Sequence, residues 1–243
     1  MFITDCNYKE FMYLDNLQWS SQWDIYWNRA LAFDSLKVHE IDCIITIPEK
    51  EGVLVFSEED IYYSPNSAFT TLEHFSSAYS FADYTVMSTC LKSFGCFGQY
   101  KSPWICPFFA LCPLEGGYHT IWINPLKIYK LQTIDGETYA FMDNGPVILL
   151  PLTRRSILAR TEITCSALAT LQRDCFQIVI TGERPLDYLE VPNTPFSHSL
   201  SKRAALLQFS IPFGELVQQY QKAYSLHLYG FESISWTYFS RDC

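Results

Sequence analysis

The clearest pattern along the chain is a series of apolar runs of strand length, broken by turn dipeptides, in the region before residue 150. Residues 139–142 and 147–150 are apolar, and Asp135-Gly136 and Asn144-Gly145 stand before and between them. Each dipeptide can supply the positive φ that a tight hairpin turn requires. The sequence therefore predicts a three-stranded β-meander.

Apolar positions at helical spacing follow the meander directly. Ile157 or Leu158, Thr161, Cys165, Leu168 and Leu171 or Gln172 would share the inner face of a helix from about residue 156 to residue 173, with Thr153 or Ser156 as its N-cap. Arg154, Arg155 and Arg160 cluster near its beginning, where positive charge opposes the helix dipole. An anion such as phosphate would accommodate them, and ordinary surface salt bridges are the alternative.

Near the amino terminus, aromatic residues recur at spacings of three and four. Trp19, Trp23, Tyr26, Trp27, Ala30 and Leu31 would form one face of a helix within residues 15–32. Because such a face requires burial, the helix either packs onto the core or presents an aromatic anchor to a partner protein.

Shorter apolar segments predict further strands. Residues 42–47 and 53–56 flank a five-residue loop and indicate a hairpin, which residues 61–63 continue. Residues 84–89 favour a strand as well, and residues 104–114 favour a buried strand interrupted by Pro107, near an edge or a bulge. Residues 64–82 are left unassigned.

The carboxy-terminal part is richer in proline. Residues 182–203 contain three prolines and many polar residues, which is typical of an extended linker or arm, and helical patterns follow at 202–209 and 215–224. We therefore predict an α+β fold: an antiparallel β-rich core of hairpins and a meander, a helix after the meander, and additional N- and C-terminal helices. The predicted division is an aromatic helical extension (1–37), the β-rich core (38–183) and a C-terminal region (184–243).

Composition and charge narrow the classes of function. Of the 243 residues, 49% are apolar and 16% aromatic, which indicates a folded chain rather than a disordered one. No stretch approaches the length of a membrane span, and the amino terminus lacks the pattern of a secretory signal, so we expect a cytoplasmic protein with no membrane association. The formal net charge of −9 opposes binding to nucleic acid. Residues 84–173 nevertheless hold eight basic and five acidic groups, a local balance of +3.

Motifs of catalysis are missing from the sequence. There is no G-x-S-x-G elbow, H-E-x-x-H pair, Walker loop or dinucleotide fingerprint, and the five histidines are dispersed, so no enzyme activity is predicted. A cysteine nucleophile used with His119 is a minor alternative. Cys90, Cys96, Cys106 and Cys112, with His119, could in principle hold zinc, but they lack a close C-x2-C pair. We interpret them as inert thiols and expect no metal and no cofactor.

Several of these segments, taken in order, resemble the bacterial competence transcription factor ComK family. They are TIPEKEG at 46–52, the YTVMSTCLKSFGCFGQYKS block at 84–102, PWICPFFALCPL, and the meander with its helix. The similarity covers roughly residues 38–173, and residues 201–224 loosely resemble the family's C-terminal part.

The resemblance implies a cytoplasmic transcription activator of DNA-uptake genes that recognises paired A/T-rich boxes of double-stranded DNA through the minor groove and binds as a homo-oligomer. The candidate DNA contacts, chosen by charge and location, are Lys92, Lys101, Arg154, Arg155 and Arg160. Capture of the family by a degradation adaptor implies a partner contact at Phe209, Ile211, Pro212 and Phe213; a buried helix connection is the competing interpretation. The alternative function is a regulatory module that keeps this fold, binds proteins and has lost its affinity for DNA.

Overall fold

A seven-stranded mixed sheet forms one part of the protein, whose computed structural model describes residues 12–58, 60–98, 101–114, 120–175 and 182–229. Its strands run in the order β1-β4-β3-β2-β7-β6-β5. Their bounds are β1 Leu31–Ala32, β2 Cys43–Thr46, β3 Val53–Phe56, β4 Ile61–Ser64, β5 Trp104–Ile105, β6 Ala110–Leu114 and β7 Ile121–Ile123. The β1–β4 pair is parallel, and the other neighbouring pairs are antiparallel.

The second sheet is the predicted meander. It consists of β8 Ile128–Ile134, β9 Glu137–Met142 and β10 Val147–Leu150, with β9 in the centre. The β8–β9 turn places Asp135 at φ 52° and Gly136 at φ 86°, and Asn144 in the next turn has φ 55°. These residue types adopt positive φ at low cost, and both predicted turns are present. Gly145, the second residue of the Asn144-Gly145 pair, does not have positive φ.

Six α-helices complete the described ranges. They are α1 Ser21–Arg29, α2 Ala68–Ala78, α3 Tyr84–Ser93, α4 Arg154–Cys175, α5 Pro195–Leu200 and α6 Glu215–Tyr229. The predicted α+β class, with a helix after the meander and further helices towards both ends, is confirmed. Of the described helices, none is long and apolar enough to cross a lipid bilayer.

The seven-stranded sheet separates two apolar clusters. Cys43 and Ile45 of β2 belong to the cluster that contains Leu168 of α4, whereas Ile44 belongs to the cluster that contains Phe75 of α2. This alternation follows from the two-residue period of a strand. Because both faces are covered, β2 and β3 read as continuous apolar runs.

The predicted β2–β3 hairpin is confirmed, and it depends on one glycine. Gly52 has φ 96°, and a Cβ atom at this position would lie 2.3 Å from the carbonyl oxygen of Ser64 in β4. Any larger residue would therefore displace the neighbouring strand. As predicted, β4 continues the sheet.

The aromatic face of α1 is largely used for packing. Trp23 is fully buried, and Trp19, Tyr26 and Trp27 are half-buried against the core. The ammonium of Lys50 lies 4.2 Å from the ring centroids of both Trp19 and Trp27, which fastens the helix to the β2–β3 turn. The core-packing interpretation of this helix therefore accounts for most of its aromatic surface.

The strand predicted at 84–89 is wrong, because these residues form the first half of α3. The Asp83 side chain accepts a hydrogen bond from the Val86 amide at 2.9 Å and caps the helix. Val86, Met87, Cys90 and Leu91 are buried at helical spacing. The aromatic and β-branched residues Tyr84, Thr85 and Val86 favour a strand, but the cap and the period of the burial favour a helix.

Two further expectations require correction. Residues 104–114 form a hairpin of β5 and β6 rather than one interrupted strand, and Pro107 lies in its turn. Strand β5 is the edge of the sheet.

The predicted linker at 182–203 packs against the core instead of extending, since Leu189, Phe196 and Leu200 are buried. The three prolines there begin or flank short helical turns, a position in which the missing amide costs nothing.

The predicted helix at 215–224 is confirmed as α6, which continues to residue 229. The helix predicted at 202–209 is wrong apart from a single 3-10 turn at Ala204–Leu206. The aromatic segment after residue 229 lies outside the described residues.

Candidate nucleic-acid interface

The beginning of α4 presents two arginines to solvent. Thr153 caps the helix, since its Oγ1 atom accepts a hydrogen bond from the Ser156 amide at 3.3 Å. Arg154 and Arg155 follow in the first turn and are exposed. The side chain of neither residue forms an ion pair or hydrogen bond with another residue in the described ranges. No carboxylate from those ranges thus neutralises the positive charge at this helix end.

The loop after α3 is held by aromatic packing and by two glycines. Phe97 is 1% exposed and meets Phe94 edge to face, with ring centroids 6.1 Å apart. Gly95 and Gly98 have φ 72° and 85°, which side chains other than glycine rarely adopt. Burial of Phe97 therefore holds this loop, as far as Gly98, against the core.

Lys101 and Arg160 line the same cleft, which has a volume of about 230 Å³. Gly98 from the loop and Pro113 from β6 contribute to its wall. The Nη1 atom of Arg160 donates a hydrogen bond to the Pro113 carbonyl at 3.2 Å, which orients the guanidinium between α4 and β6. The fold therefore brings together two candidate residues that are 59 positions apart in the sequence.

The remaining candidates, Lys92, Arg154 and Arg155, do not line this cleft. An α-helix turns by about 100° and rises about 1.5 Å per residue, so Arg155 and Arg160 project about 140° apart and are separated by about 7.5 Å along α4. Lys92 is exposed in the last turn of α3, where a cation is favourable to the helix dipole. Of the five candidate residues, the structure therefore brings Lys101 and Arg160 together in one cleft, whereas Arg155 projects from a different side of α4 than Arg160.

Two other cations within residues 84–173, Lys127 and Lys130, form contacts inside the protein instead. The ammonium of Lys127 lies 2.9 Å from Glu40, 3.7 Å from Glu58 and 3.9 Å from Asp42. The ammonium of Lys130 lies 4.2 Å from the centroid of the Phe141 ring. These contacts reduce the positive charge that the region offers to a polyanion.

Arg173, at the last turn of α4, is also internal. It is 6% exposed, pairs with Asp174 at 2.9 Å, and donates hydrogen bonds to the carbonyls of Ile211 and Pro212 at 3.2 and 2.8 Å. Its guanidinium lies 4.1 Å from the ring centroid of Phe209. Arg173 therefore fastens the segment that leads into α6.

These contacts of Arg173 involve the candidate partner segment, residues 209–213. Ile211 is buried and Phe209 half-buried, whereas Pro212 and Phe213 are exposed, with Phe213 at 59%. The segment is a helix connection held by Arg173, and only one part of it faces solvent.

The described cysteines give little support to a reactive thiol or a zinc site. Burial raises the pKa of Cys90 and of Cys112 to about 12 and that of Cys106 to about 11, so these thiols stay protonated and unreactive at neutral pH. Cys96 is exposed. Within the described residues, no three His, Cys, Asp or Glu side chains are grouped to hold a metal ion. His119, the further residue named from the sequence, lies outside those ranges.

Sequence reasoning missed the carboxylates that surround Lys127. Asp42 is 4% exposed, and burial, opposed by Lys127, raises its pKa to about 7. The charges of Glu40, Glu58 and Asp143 contribute to the same shift. The only signal in the sequence was the position of Glu40 and Asp42 directly before a buried strand.

Comparisons with known proteins add no assignment to this geometry. No family model, no curated protein and no solved structure matches the chain. The resemblance to the competence transcription factors therefore stays a prediction.

Proposed function

We propose that this protein is a DNA-binding transcription activator of competence genes, which recognises A/T-rich boxes as a homo-oligomer in the cytoplasm. The observation that carries the proposal is the convergence of Lys101 and Arg160 in one cleft, with Arg154 and Arg155 exposed in the first turn of the helix that supplies Arg160. Two segments named in the family resemblance, the glycine loop and the helix after the meander, supply these two residues.

The chemistry of the cleft suits a narrow minor groove. A/T-rich tracts narrow this groove and concentrate negative potential, which attracts arginine and lysine with few base-specific contacts. Lys101 would enter the groove, and Arg160, which the Pro113 carbonyl holds in the cleft, would contact a phosphate with its remaining N–H donors. Arg154, Arg155 and Lys92 would contact further phosphates. Each phosphate that the protein neutralises releases counterions, so affinity must fall with added salt.

A gel-shift titration against a duplex with phased A/T boxes tests this function. The double variant Arg154→Glu with Arg155→Glu replaces two exposed cations by anions, and we expect its affinity to fall by about 10- to 100-fold, because each phosphate contact and each new repulsion adds to the loss. The slope of log affinity against log salt should become shallower by about two.

The matched control is Lys202→Glu with Lys222→Glu, which makes the same change in net charge at exposed positions outside α4 and its cleft. We expect this control to lose far less affinity. Equal losses of duplex affinity in both double variants would show that the effect comes from net charge alone. Failure of the unaltered protein to bind the duplex at low ionic strength would reject the proposal.

A protein-binding regulatory module without DNA affinity is the second candidate function. The observation that favours it is the internal use of Lys127 and Arg173 in a protein of net charge −9, which leaves fewer cations for phosphates than the sequence implies. The exposed Pro212 and Phe213 would then serve as part of the contact for a degradation adaptor or another partner. Pull-down with Phe213→Ala against the unaltered protein distinguishes this function when no DNA binding is found.

A further inference from the structure

The two sheets are connected by a short segment, residues 124–127, which runs from the end of β7 to the start of β8 and is called the sheet junction below. It forms a single 3-10 turn that the Asn124 side chain caps, since its Oδ1 atom accepts a hydrogen bond from the Leu126 amide at 3.0 Å. The amide of Asp143, in the β9–β10 turn, donates a hydrogen bond to the Lys127 carbonyl at 2.7 Å. The sheet junction is therefore tied to the meander.

The segment before β2 holds the other side of the sheet junction. The backbone amide of Asn124 donates a hydrogen bond to the Asp42 carbonyl at 2.8 Å, and its side-chain amide donates to Glu40 at 3.0 Å. The Asp42 amide in turn donates to the Phe56 carbonyl, at the end of β3, at 2.8 Å. A displacement of Asp42 would therefore break the contact that joins the sheet junction to the seven-stranded sheet.

Three carboxylates share one ammonium at this place. The Nζ atom of Lys127 lies 2.9 Å from Glu40, 3.7 Å from Glu58 and 3.9 Å from Asp42, and Lys127 is the only lysine or arginine that pairs with them in the described ranges. The Asp42 carboxylate is the most distant of the three and also the most buried, with its side chain 5% exposed against 33% for Glu40 and 68% for Glu58. Its Oδ1 atom has no hydrogen-bond partner. Burial and distance thus both select Asp42 as the group that retains a proton.

The other groups that face Asp42 act in the same direction, apart from Lys127. Burial raises the pKa of Asp42 to about 7, against the attraction of the Lys127 ammonium. The charges of the surrounding carboxylates raise this pKa further: Glu40, Glu58 and Asp143. The next residue of β2, Cys43, is fully buried and stays protonated, because burial raises the pKa of its thiol.

These contacts determine how pH acts on the sheet junction. Opening of the sheet junction would expose Asp42 to water and return its pKa towards the ordinary value of 3.8. The closed state thus holds a proton that the opened state releases between about pH 4 and about pH 7. Within this window each unit of rise in pH favours opening by up to about tenfold, and above about pH 7 the effect is complete.

We propose that Asp42 is a proton-controlled switch of the sheet junction: with its proton the junction stays closed, and after loss of the proton it opens locally while both sheets remain folded. The inference does not depend on the DNA-binding function, because none of these groups lines the basic cleft.

Hydrogen exchange of the Asn124 and Asp143 amides in the full-length protein, followed by NMR from pH 5 to pH 8, tests the proposal. After correction for the intrinsic exchange rates, we expect their protection to fall by about 10- to 100-fold between pH 5 and pH 7 and to stay level above. These amides should also be less protected than the slowest amides of the protein, which report global unfolding. Equal protection would mean that the sheet junction opens only with the whole fold, and would overturn the proposal.

The variant Asp42→Asn has a side chain that cannot ionise, so we expect the protection of the Asn124 amide to change by less than about twofold over the same range. The matched control is Glu58→Gln, which makes the same charge change beside the same ammonium at an exposed carboxylate and should keep the decrease. An unchanged decrease in Asp42→Asn, or its loss in the control, would overturn the proposal.

A direct titration of Asp42 in the unaltered protein keeps the test independent of how well the variants fold. The NMR signal of its carboxyl carbon should titrate with a midpoint near pH 7. A midpoint near pH 4 would show that Asp42 is ionised in the closed state, and the proposal would fail.

Discussion

The two ends of α4 both carry arginine in very different surroundings. Arg154 and Arg155 at the beginning are exposed and meet no carboxylate of the described residues, whereas Arg173 near the end is 6% exposed and bound to Asp174 and to two carbonyls. Arginine is thus available to bind an external anion at the beginning of α4, whereas near its end it stabilises the fold. Which role an arginine takes depends on what the fold packs beside it.

Removal of the buried arginine, Arg173, should have the largest effect on stability. Arg173→Ala would leave Asp174 buried without its partner and two carbonyls unsatisfied, so we expect the free energy of unfolding to fall by about 3–5 kcal/mol. Urea unfolding followed by circular dichroism measures this. Arg155→Ala, at the exposed end, should change it by less than about 0.5 kcal/mol. Similar losses in the two variants would contradict the comparison.

A second buried charge tests whether burial or pairing dominates. Because the folded-state pKa of Asp42 is raised from 3.8 to about 7, the native state binds a proton that the unfolded state releases between these values. Stability should therefore decrease as pH rises from about 4 to about 7, by at most about 4 kcal/mol from this group.

Denaturation curves across that pH range, for the unaltered protein and for Asp42→Asn, provide the measurement. The amide cannot ionise, so we expect a flatter pH dependence in the variant. A steeper decrease in the variant would mean that pairing with Lys127 outweighs burial, contrary to the stated direction.

At the exposed end, removal of a single cleft cation should have a moderate effect. Arg160→Ala is expected to weaken binding to the A/T-rich duplex by about tenfold and to lower the salt slope by about one. Arg29→Ala, at the exposed end of α1, is the control and should leave both quantities unchanged. Fluorescence anisotropy at several salt concentrations measures both; an unchanged salt slope for Arg160→Ala would remove this residue from the interface.

The smallest expected effect concerns the cap that precedes the arginine pair. Thr153→Ala removes the hydroxyl that accepts from the Ser156 amide, which should cost about 1 kcal/mol of stability. Thermal unfolding measures the change. Ser156→Ala keeps the capping oxygen of Thr153 and should cost less, so an equal cost would assign the effect to the pair of hydroxyls rather than to the cap.

Local chemistry made several elements predictable. Asp135-Gly136 and Asn144 specified turns because their backbones accept positive φ, and the spacing of Cys165 and Leu168 specified a helix, since burial on one face requires that period. The α3 region was misread because its β-branched and apolar residues fit either period, and the capping by Asp83 settled it.

The candidate site was likewise predictable only in part. The sequence by itself determined the turns, the meander, the α4 helix and the presence of basic residues around it, because these depend on contacts between near neighbours along the chain. Only the tertiary structure decided that Lys101 and Arg160 share a cleft, that Lys127 and Arg173 are neutralised internally, and that Asp42 meets Lys127 where the two sheets join. These outcomes join residues far apart in sequence, and their electrostatic consequence depends on burial and distance, which no local pattern encodes.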